Sequence, residues 1–212
     1  MLKVNEIFLS IQGEGLSAGL PCIFIRLTGC NLRCSYCDTT YAYEEGSDMS
    51  ISDIISDIRK YPAGVVNITG GEPLFQDNTL KLIDALVKLN YDVILETNGA
   101  FDTSKVNPKC IKVIDVKCPS SGEHKKNIFQ NLNILNPQDQ IKFVIANKDD
   151  FEYARIHSNN ICGIPKGNIL FSPVYGVLNP AELITWVFEH GLGVRLNVQI
   201  HKYIWPDKDR GV

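Results

Sequence analysis

The stretch Cys22-Ile23-Phe24-Ile25-Arg26-Leu27-Thr28-Gly29-Cys30-Asn31-Leu32-Arg33-Cys34-Ser35-Tyr36-Cys37 decides the fold. Its first seven residues are β-rich and apolar apart from Arg26 and Thr28, which reads as a strand buried in a sheet. Its last eight hold cysteines in the pattern C-x3-C-x2-C, so the thiols fall in the loop just after that strand. An iron–sulfur cube takes four thiolates, and three would leave one iron with an open coordination position. The other readings of the triplet are a zinc site and three unrelated buried thiols. Structural zinc needs a fourth ligand, and none of His124, His157, His190 or His201 sits at finger-like spacing.

Outward from this stretch, short β-rich runs alternate with helical ones. Strands are expected at Val65–Thr69, Asp92–Glu96, Ile111–Val116, Gln140–Ala146, Asn168–Ser172 and Val194–Ile200, with Val4–Ile11 as an edge strand. Ser50-Ile51-Ser52-Asp53 opens a helix in the manner of a capping box, and Ile51, Ile54, Ile55 and Ile58 recur at helical spacing. Asn78–Asn90, Lys148–His157 and Ala181–His190 are the other helices, the last with Pro180 at its first turn and Gly191 after its end. Asn127–Gln138, rich in Asn and Gln, is compatible with helix or loop. The alternation implies repeated βαβ units and an α/β fold. Periodicity alone allows an open sheet or a barrel, and both place their sites at the C-terminal ends of the strands.

A chain of 212 residues suits one domain, 1–212. Its 44% hydrophobic and 21% charged residues are ordinary for a globular protein, and a net charge of −3 offers no basic field for nucleic acid. No apolar run reaches membrane-spanning length and no signal-like leader is present, so a cytoplasmic protein without membrane or nucleic-acid partners is expected. Seven cysteines, three of them within eight residues, suit a reducing compartment and metal ligation. Cys22 reads as a buried small hydrophobe, and Cys110, Cys118 and Cys162 show no partner spacing.

A second motif, Thr69-Gly70-Gly71-Glu72-Pro73, follows the next strand, where two glycines let backbone approach a ligand closely. Together with C-x3-C-x2-C it resembles the radical S-adenosylmethionine (SAM) superfamily. The resemblance implies that Cys30, Cys34 and Cys37 hold a catalytic [4Fe–4S] cluster whose fourth iron chelates SAM. It also implies that Tyr36, beside Cys37 and Asp38, packs near the adenine, and that Gly70, Gly71 and Glu72 receive the methionine amino group. Glu96 and Asn98, after the third strand, and Asp115, Val116 and Lys117, ending the fourth, fall where further SAM contacts lie.

Within that superfamily, Ser10-Ile11-Gln12-Gly13-Glu14-Gly15, Arg26, Cys37-Asp38-Thr39 and the C-terminal Gln199–Trp205 and Arg210-Gly211-Val212 are similar, as an ordered set, to the 7-carboxy-7-deazaguanine synthase family. That resemblance spans the chain and implies a partial, modified (β/α) barrel of about six parallel strands. The implied substrate is 6-carboxy-5,6,7,8-tetrahydropterin. Hydrogen is taken from its C6 and later returned, and ring contraction releases ammonia. Ile11, Gln12, Gly13 and Glu14 would meet the pterin edge, Arg26 its carboxylate, and Thr69 and the terminal carboxylate of Val212 other parts of the substrate. Thr39 would ligate Mg2+, a neutral hydroxyl beside the substrate carboxylate. A one-electron reductant of flavodoxin or ferredoxin type and a homodimer are also implied. The rival readings are a glycyl-radical-enzyme activase and a non-catalytic iron–sulfur electron-transfer protein. The first has no use for Gln12-Gly13-Glu14, and the second would want its fourth iron ligated and would not need Thr69-Gly70-Gly71-Glu72.

Overall fold

The computed structural model describes all 212 residues, Met1–Val212. Its strands are β1 (Leu2–Ile11), β2 (Pro21–Leu27), β3 (Ser47–Met49), β4 (Val65–Gly70), β5 (Asp92–Thr97), β6 (Ile111–Val116), β7 (Gln140–Ile145), β8 (Ile169–Pro173) and β9 (Arg195–Leu196). They form one sheet in the order β3-β1-β2-β4-β5-β6-β7-β8-β9. β1 runs antiparallel to β2 and β3, and every pairing from β2 onward is parallel. This bears out the expected α/β class, with six full parallel strands and a two-residue seventh.

The helices are α1 (Ile51–Ile58), α2 (Thr79–Lys88), α3 (Lys148–Asn159), α4 (Pro180–Glu189) and α5 (Ile200–Ile204). The capping box of α1 is present in full, with Ser50 Oγ accepting from Asp53 N and the Asp53 carboxylate accepting from Ser50 N. Asn179 caps α4 through Ala181 N, with Pro180 at its first turn.

Strand alternation sorts the side chains into two environments. Ile23, Ile25, Leu27, Val66, Ile68, Val93 and Leu95 point outward and pack with Ile54, Ile58, Leu82, Ile83 and Leu86 of α1 and α2. Ile114, Val116, Ile141, Phe143, Ile145, Ile169 and Phe171 do the same against Phe151, Ala154, Leu183 and Val187 of α3 and α4. Each such fully buried side chain contributes roughly 1.5–3 kcal/mol relative to exposure. The intervening residues, among them Arg26, Thr69, Glu96, Asp115, Lys142 and Ser172, face one concave cavity.

The edges β3 and β9 do not pair with each other, so the barrel is open, and loops bridge the seam near β9. Gly15 N donates to Asn197 Oδ1 at 2.7 Å, Ile200 N to Gly13 O at 3.0 Å and Leu16 N to Gln140 Oε1 at 3.0 Å. The same bonds explain one departure from expectation. Val194–Ile200 alternates like a strand, yet only Arg195 and Leu196 pair with β8. Asn197 N still donates to Phe171 O of β8 at 2.9 Å while its side chain holds Gly15 N and Ser172 Oγ, and beyond it the chain departs from β8 because Ile200 N is taken by Gly13 O. His201 therefore lies in α5 and not in a strand. Asn127–Gln138 contains a 3-10 turn over Phe129–Asn133, pinned by buried Asn131, whose Nδ2 donates to the carbonyls of Gly99 and Phe101.

Candidate active site

The concave face encloses a cavity of about 620 Å3, within the range of small-molecule sites. The loop after β2 forms one wall. Leu32, 1% exposed, anchors it, and its backbone is tied to neighbours on both sides. Gly29 N donates to Ala42 O at 2.9 Å, Arg33 N to Glu123 Oε1 at 2.7 Å and Ser35 N to Ser121 O at 3.1 Å. Cys30, Cys34 and Cys37 all border the cavity. Burial pushes the Cys30 and Cys34 thiols above their usual range while Lys117 works against it. Metal coordination removes those protons outright. No three His, Cys, Asp or Glu side chains converge on a single ion-sized point. A cubane instead meets its three thiolates at three separate irons.

The β4 turn is packed against this loop. A Cβ on Gly71 would overlap the carbonyl oxygen of Gly29 and lie 2.9 Å from Cys30 Cβ, so glycine is required for the contact. Glu72 points away from the cavity and is fully buried. Its carboxyl accepts from Leu74 N at 2.9 Å, Thr97 Oγ1 at 2.8 Å and Asn98 N at 2.6 Å, stitching the turn to the end of β5. Burial pushes Glu72 up to about 7 against the pull of these donors. Asn98 Nδ2 in turn reaches Asn31 Oδ1 at 2.9 Å and lies 3.9 Å from Cys30 Sγ.

On the opposite wall, Tyr36 extends from the cysteine loop to β7, its hydroxyl 3.3 Å from Val144 O. Asp115 Oδ2 accepts from Lys117 Nζ at 2.9 Å, while its buried Oδ1 has no partner within the chain. A buried acceptor without a donor is costly, and this one borders the cavity, where a ligand hydroxyl or ammonium would satisfy it.

The floor is made by Gln12-Gly13-Glu14. Glu14 Oε2 accepts from Lys142 Nζ at 2.9 Å and Oε1 from Gln199 Nε2 at 2.9 Å. Burial works to raise the Glu14 carboxyl, yet Lys142 and these hydrogen bonds hold it below its usual range. Burial likewise opposes the charge of Lys142, but Glu14, Glu96 and Asp115 keep the ammonium firmly protonated. Glu96 accepts from Asn67 Nδ2 at 2.8 Å and Thr69 Oγ1 at 3.2 Å. A side chain at Gly13 would run into the His201 ring, which presses on the loop from α5. At the rim, Thr39 Oγ1 donates to Asp38 Oδ1 at 3.0 Å, and Lys202 Nζ donates to Asp38 Oδ2 at 2.9 Å.

Of the residues singled out from sequence, Gln12, Gly13, Glu14, Arg26, the three cysteines, Tyr36, Asp38 and Thr39 share this cavity with Thr69, Gly70, Gly71, Glu96, Asn98, Asp115, Lys117 and Val212. Ile11, Glu72 and Val116 do not border it: Ile11 pairs with Pro21 at the end of β1, and Val116 is packed in the outer core. Lys142 is a cavity residue that the sequence does not single out, and Gln199 and Lys202, quoted there only as part of the C-terminal motif with no role at the site, also line it. The signal for Lys142 was there, since Gln140-Ile141-Lys142-Phe143 alternates polar and apolar in a strand expected to be buried. The donor set fits the groups that the resemblance implies: three cavity-facing thiols for a cluster, an unpaired carboxylate oxygen for a cofactor donor, and a hydroxyl–carboxylate pair at Thr39 and Asp38 for a hard cation.

Comparison with known proteins agrees with this geometry. Residues 24–115 match the Radical SAM superfamily. The chain is 40% identical over 227 residues to a 7-carboxy-7-deazaguanine synthase of Koribacter versatilis, covering 100% of both chains. It is 43% identical over 216 residues to that of Chlorobaculum tepidum, covering 100% of this chain and 97% of the relative. The crystal structure of QueE from Escherichia coli superposes with a TM-score of 0.76 at 26% identity, covering 93% of each chain. Streptococcus suis SuiB, at 14% identity and a TM-score of 0.56 over 80% of this chain and 48% of its own, shares the fold. Radical SAM enzymes use a [4Fe–4S] cluster and SAM. The chain is a radical SAM enzyme and belongs to the 7-carboxy-7-deazaguanine synthase family.

Proposed function

We propose that the chain converts 6-carboxy-5,6,7,8-tetrahydropterin to 7-carboxy-7-deazaguanine with release of ammonia. One observation carries this reading: three cysteine thiols and the polar set Gln12, Glu14, Arg26 and Thr69 open into the same cavity. When bound, the cluster and SAM supply the one-electron chemistry that generates a carbon-centred radical beside the substrate.

The chain's own residues do the rest. Cys30, Cys34 and Cys37 hold the cluster. Tyr36, Gly70, Gly71, Asn98, Asp115 and Lys117 shape the cofactor side of the cavity, with Asp115 Oδ1 as an acceptor in waiting. The Gln12–Glu14 segment presents backbone and side-chain groups to the pterin edge, and leaving such groups unpaired discriminates against ligands that lack the match. Arg26 supplies a guanidinium for the substrate carboxylate. Thr39 brings a hydroxyl to a Mg2+ that shares that carboxylate, with Asp38 orienting it. His201, held below its usual range by burial, stands neutral against the floor. The C-terminal segment, latched through Lys202 to Asp38 and through Gln199 to Glu14, brings Val212 to the cavity and restricts water.

The same reading includes an external flavodoxin- or ferredoxin-type donor, a homodimer, a cytoplasmic location and one domain over residues 1–212. The single nine-stranded sheet supports the last. No helix is long and apolar enough to cross a membrane.

The test is anaerobic turnover of reconstituted protein with SAM, a chemical reductant, Mg2+ and the carboxytetrahydropterin, followed by mass spectrometry and ammonia release. Formation of 7-carboxy-7-deazaguanine with stoichiometric ammonia is expected. SAM cleavage without that product would overturn the substrate assignment.

A further inference from the structure

Arg26 has a partner that the sequence reading did not anticipate. Glu6 Oε1 accepts from Arg26 Nε at 2.7 Å and from Tyr41 Oη at 3.0 Å. The two charged side chains are 12% and 19% exposed for Arg26 and Glu6, so the pair is largely removed from water. The rings of Phe8 and Tyr41 lie 5.8 and 5.7 Å from the guanidinium carbon.

Glu6 reaches this position because β1 contains a bulge. Val4 pairs with Leu27 but Glu6 pairs with Arg26, so Asn5 is an extra residue in β1. Leu2 and Val4 belong to the outer core before the bulge, and Ile7 packs on that core after it, an interval of three where regular alternation gives two. In a regular strand, residue 6 would point outward with Leu2 and Val4. The extra residue turns Glu6, and Phe8 after it, to the concave face, where Phe8 stacks on Phe24 at 5.0 Å. Asn5 is itself held, its Nδ2 donating to Glu45 O at 2.9 Å. Bulges recur beside sites because they re-aim a side chain.

A guanidinium gripped at Nε keeps its two terminal amino groups for a second acceptor, in a plane that the first acceptor has set. We propose that Glu6 is a positioning residue: it orients Arg26 so that the remaining edge of the fork meets the carboxylate of the bound pterin. The proposal rests on the reading of Arg26 given above. It has a discriminating consequence, because Glu6 is itself an anion. As a source of charge it would oppose binding of a carboxylate, whereas as a hydrogen-bond acceptor it favours binding by holding the fork in place. Glu6→Gln keeps an acceptor oxygen and removes the charge, and Glu6→Ala removes both.

The experiment is equilibrium titration of 6-carboxypterin and of pterin into reconstituted protein loaded with SAM and Mg2+, alongside iron content and melting temperature. Glu6→Ala is expected to lose about tenfold of the preference for the carboxylated ligand, and Glu6→Gln to stay within about threefold of the unsubstituted protein. Arg26→Gln should lose more of the preference than Glu6→Ala, leaving only the share that Mg2+ supplies at the carboxylate. If Arg26→Gln loses it and Glu6→Ala keeps it, the positioning role is wrong and the reading of Arg26 stands. If Arg26→Gln keeps it, both are wrong. A tighter preference in Glu6→Ala, or a lowered melting temperature with unchanged preference, also overturns the proposal. Should Glu6→Ala fail to fold, Glu6→Asp, one methylene short of the guanidinium, is expected to lose part of the preference. Its full retention would overturn the proposal equally.

Discussion

Replacing Lys142 by Met tests whether the floor of the cavity is held by a buried charge pair. Lys142 Nζ lies 2.9 Å from Glu14 Oε2, with the side chains 11% and 15% exposed. Glu96 and Asp115 also act on this ammonium. At an effective dielectric of about 20, one such pair at about 4 Å is worth about 4 kcal/mol. Removing one member leaves the other buried and uncompensated, which costs about 3–5 kcal/mol. For a chain of this size that is a fall in Tm on the order of 10 °C. The sign of the pH dependence follows from Glu14, whose carboxyl is held below its unfolded value. Its stabilisation is present at neutral pH and is lost as the pH falls through the carboxylate range. The Lys142→Met protein suffers most where Glu14 is charged, so its deficit should shrink toward acid pH. The Glu14→Gln, Lys142→Met double variant should recover part of the loss. The assay is thermal unfolding of reconstituted protein near neutrality and at about pH 5. A loss under about 1 kcal/mol, or a deficit that grows toward acid, would show that the pair behaves as a solvated surface bridge.

Other substitutions separate the two halves of the cavity. Gly71→Ala sets a methyl group against the Gly29 carbonyl and Cys30, so cluster loading should fall, read as iron and sulfide per chain, with the far end of the cavity intact. Gly13→Ala forces the His201 ring off the floor and should raise KM for the pterin while iron content stays at the level of the unsubstituted protein. Glu72, pushed by burial up to about 7, well above the ordinary carboxylate range, keeps its proton in the fold where the unfolded chain has lost it. The resulting stability, at most about 3 kcal/mol, is full below the unfolded value and disappears as the pH rises through about 7. Glu72→Gln should flatten stability across that window, measured by thermal unfolding at a series of pH values.

The parallel strands were legible because each turns one face to a helix, and β-branched runs such as Val65–Ile68 and Ile111–Val116 record that burial. The cysteine loop and the Gly-Gly turn were legible because ligation and close backbone approach restrict which residues can stand at those positions. What sequence did not reveal is set by register between distant segments. Glu14 and Lys142 are 128 residues apart, and nothing local to either marks the other as its partner. Glu6 reaches Arg26 only because Asn5 is bulged, and a one-residue slip leaves no trace in composition. Val194–Ile200 alternates as a strand should. The chain leaves the sheet after Asn197, where Ile200 N turns to the Gly13 carbonyl, a tertiary bond that local propensity does not record.

The central claim is that the cysteine loop and the Gln12–Glu14 floor serve one cavity, with the pterin C6 placed against the cofactor held at Cys30, Cys34 and Cys37. Anaerobic turnover of substrate deuterated at C6, with mass spectrometry of recovered SAM, tests it most directly. Deuterium is expected in SAM recovered from productive turnover, with no transfer in Cys34→Ala. Product formed while SAM gains no deuterium would contradict it.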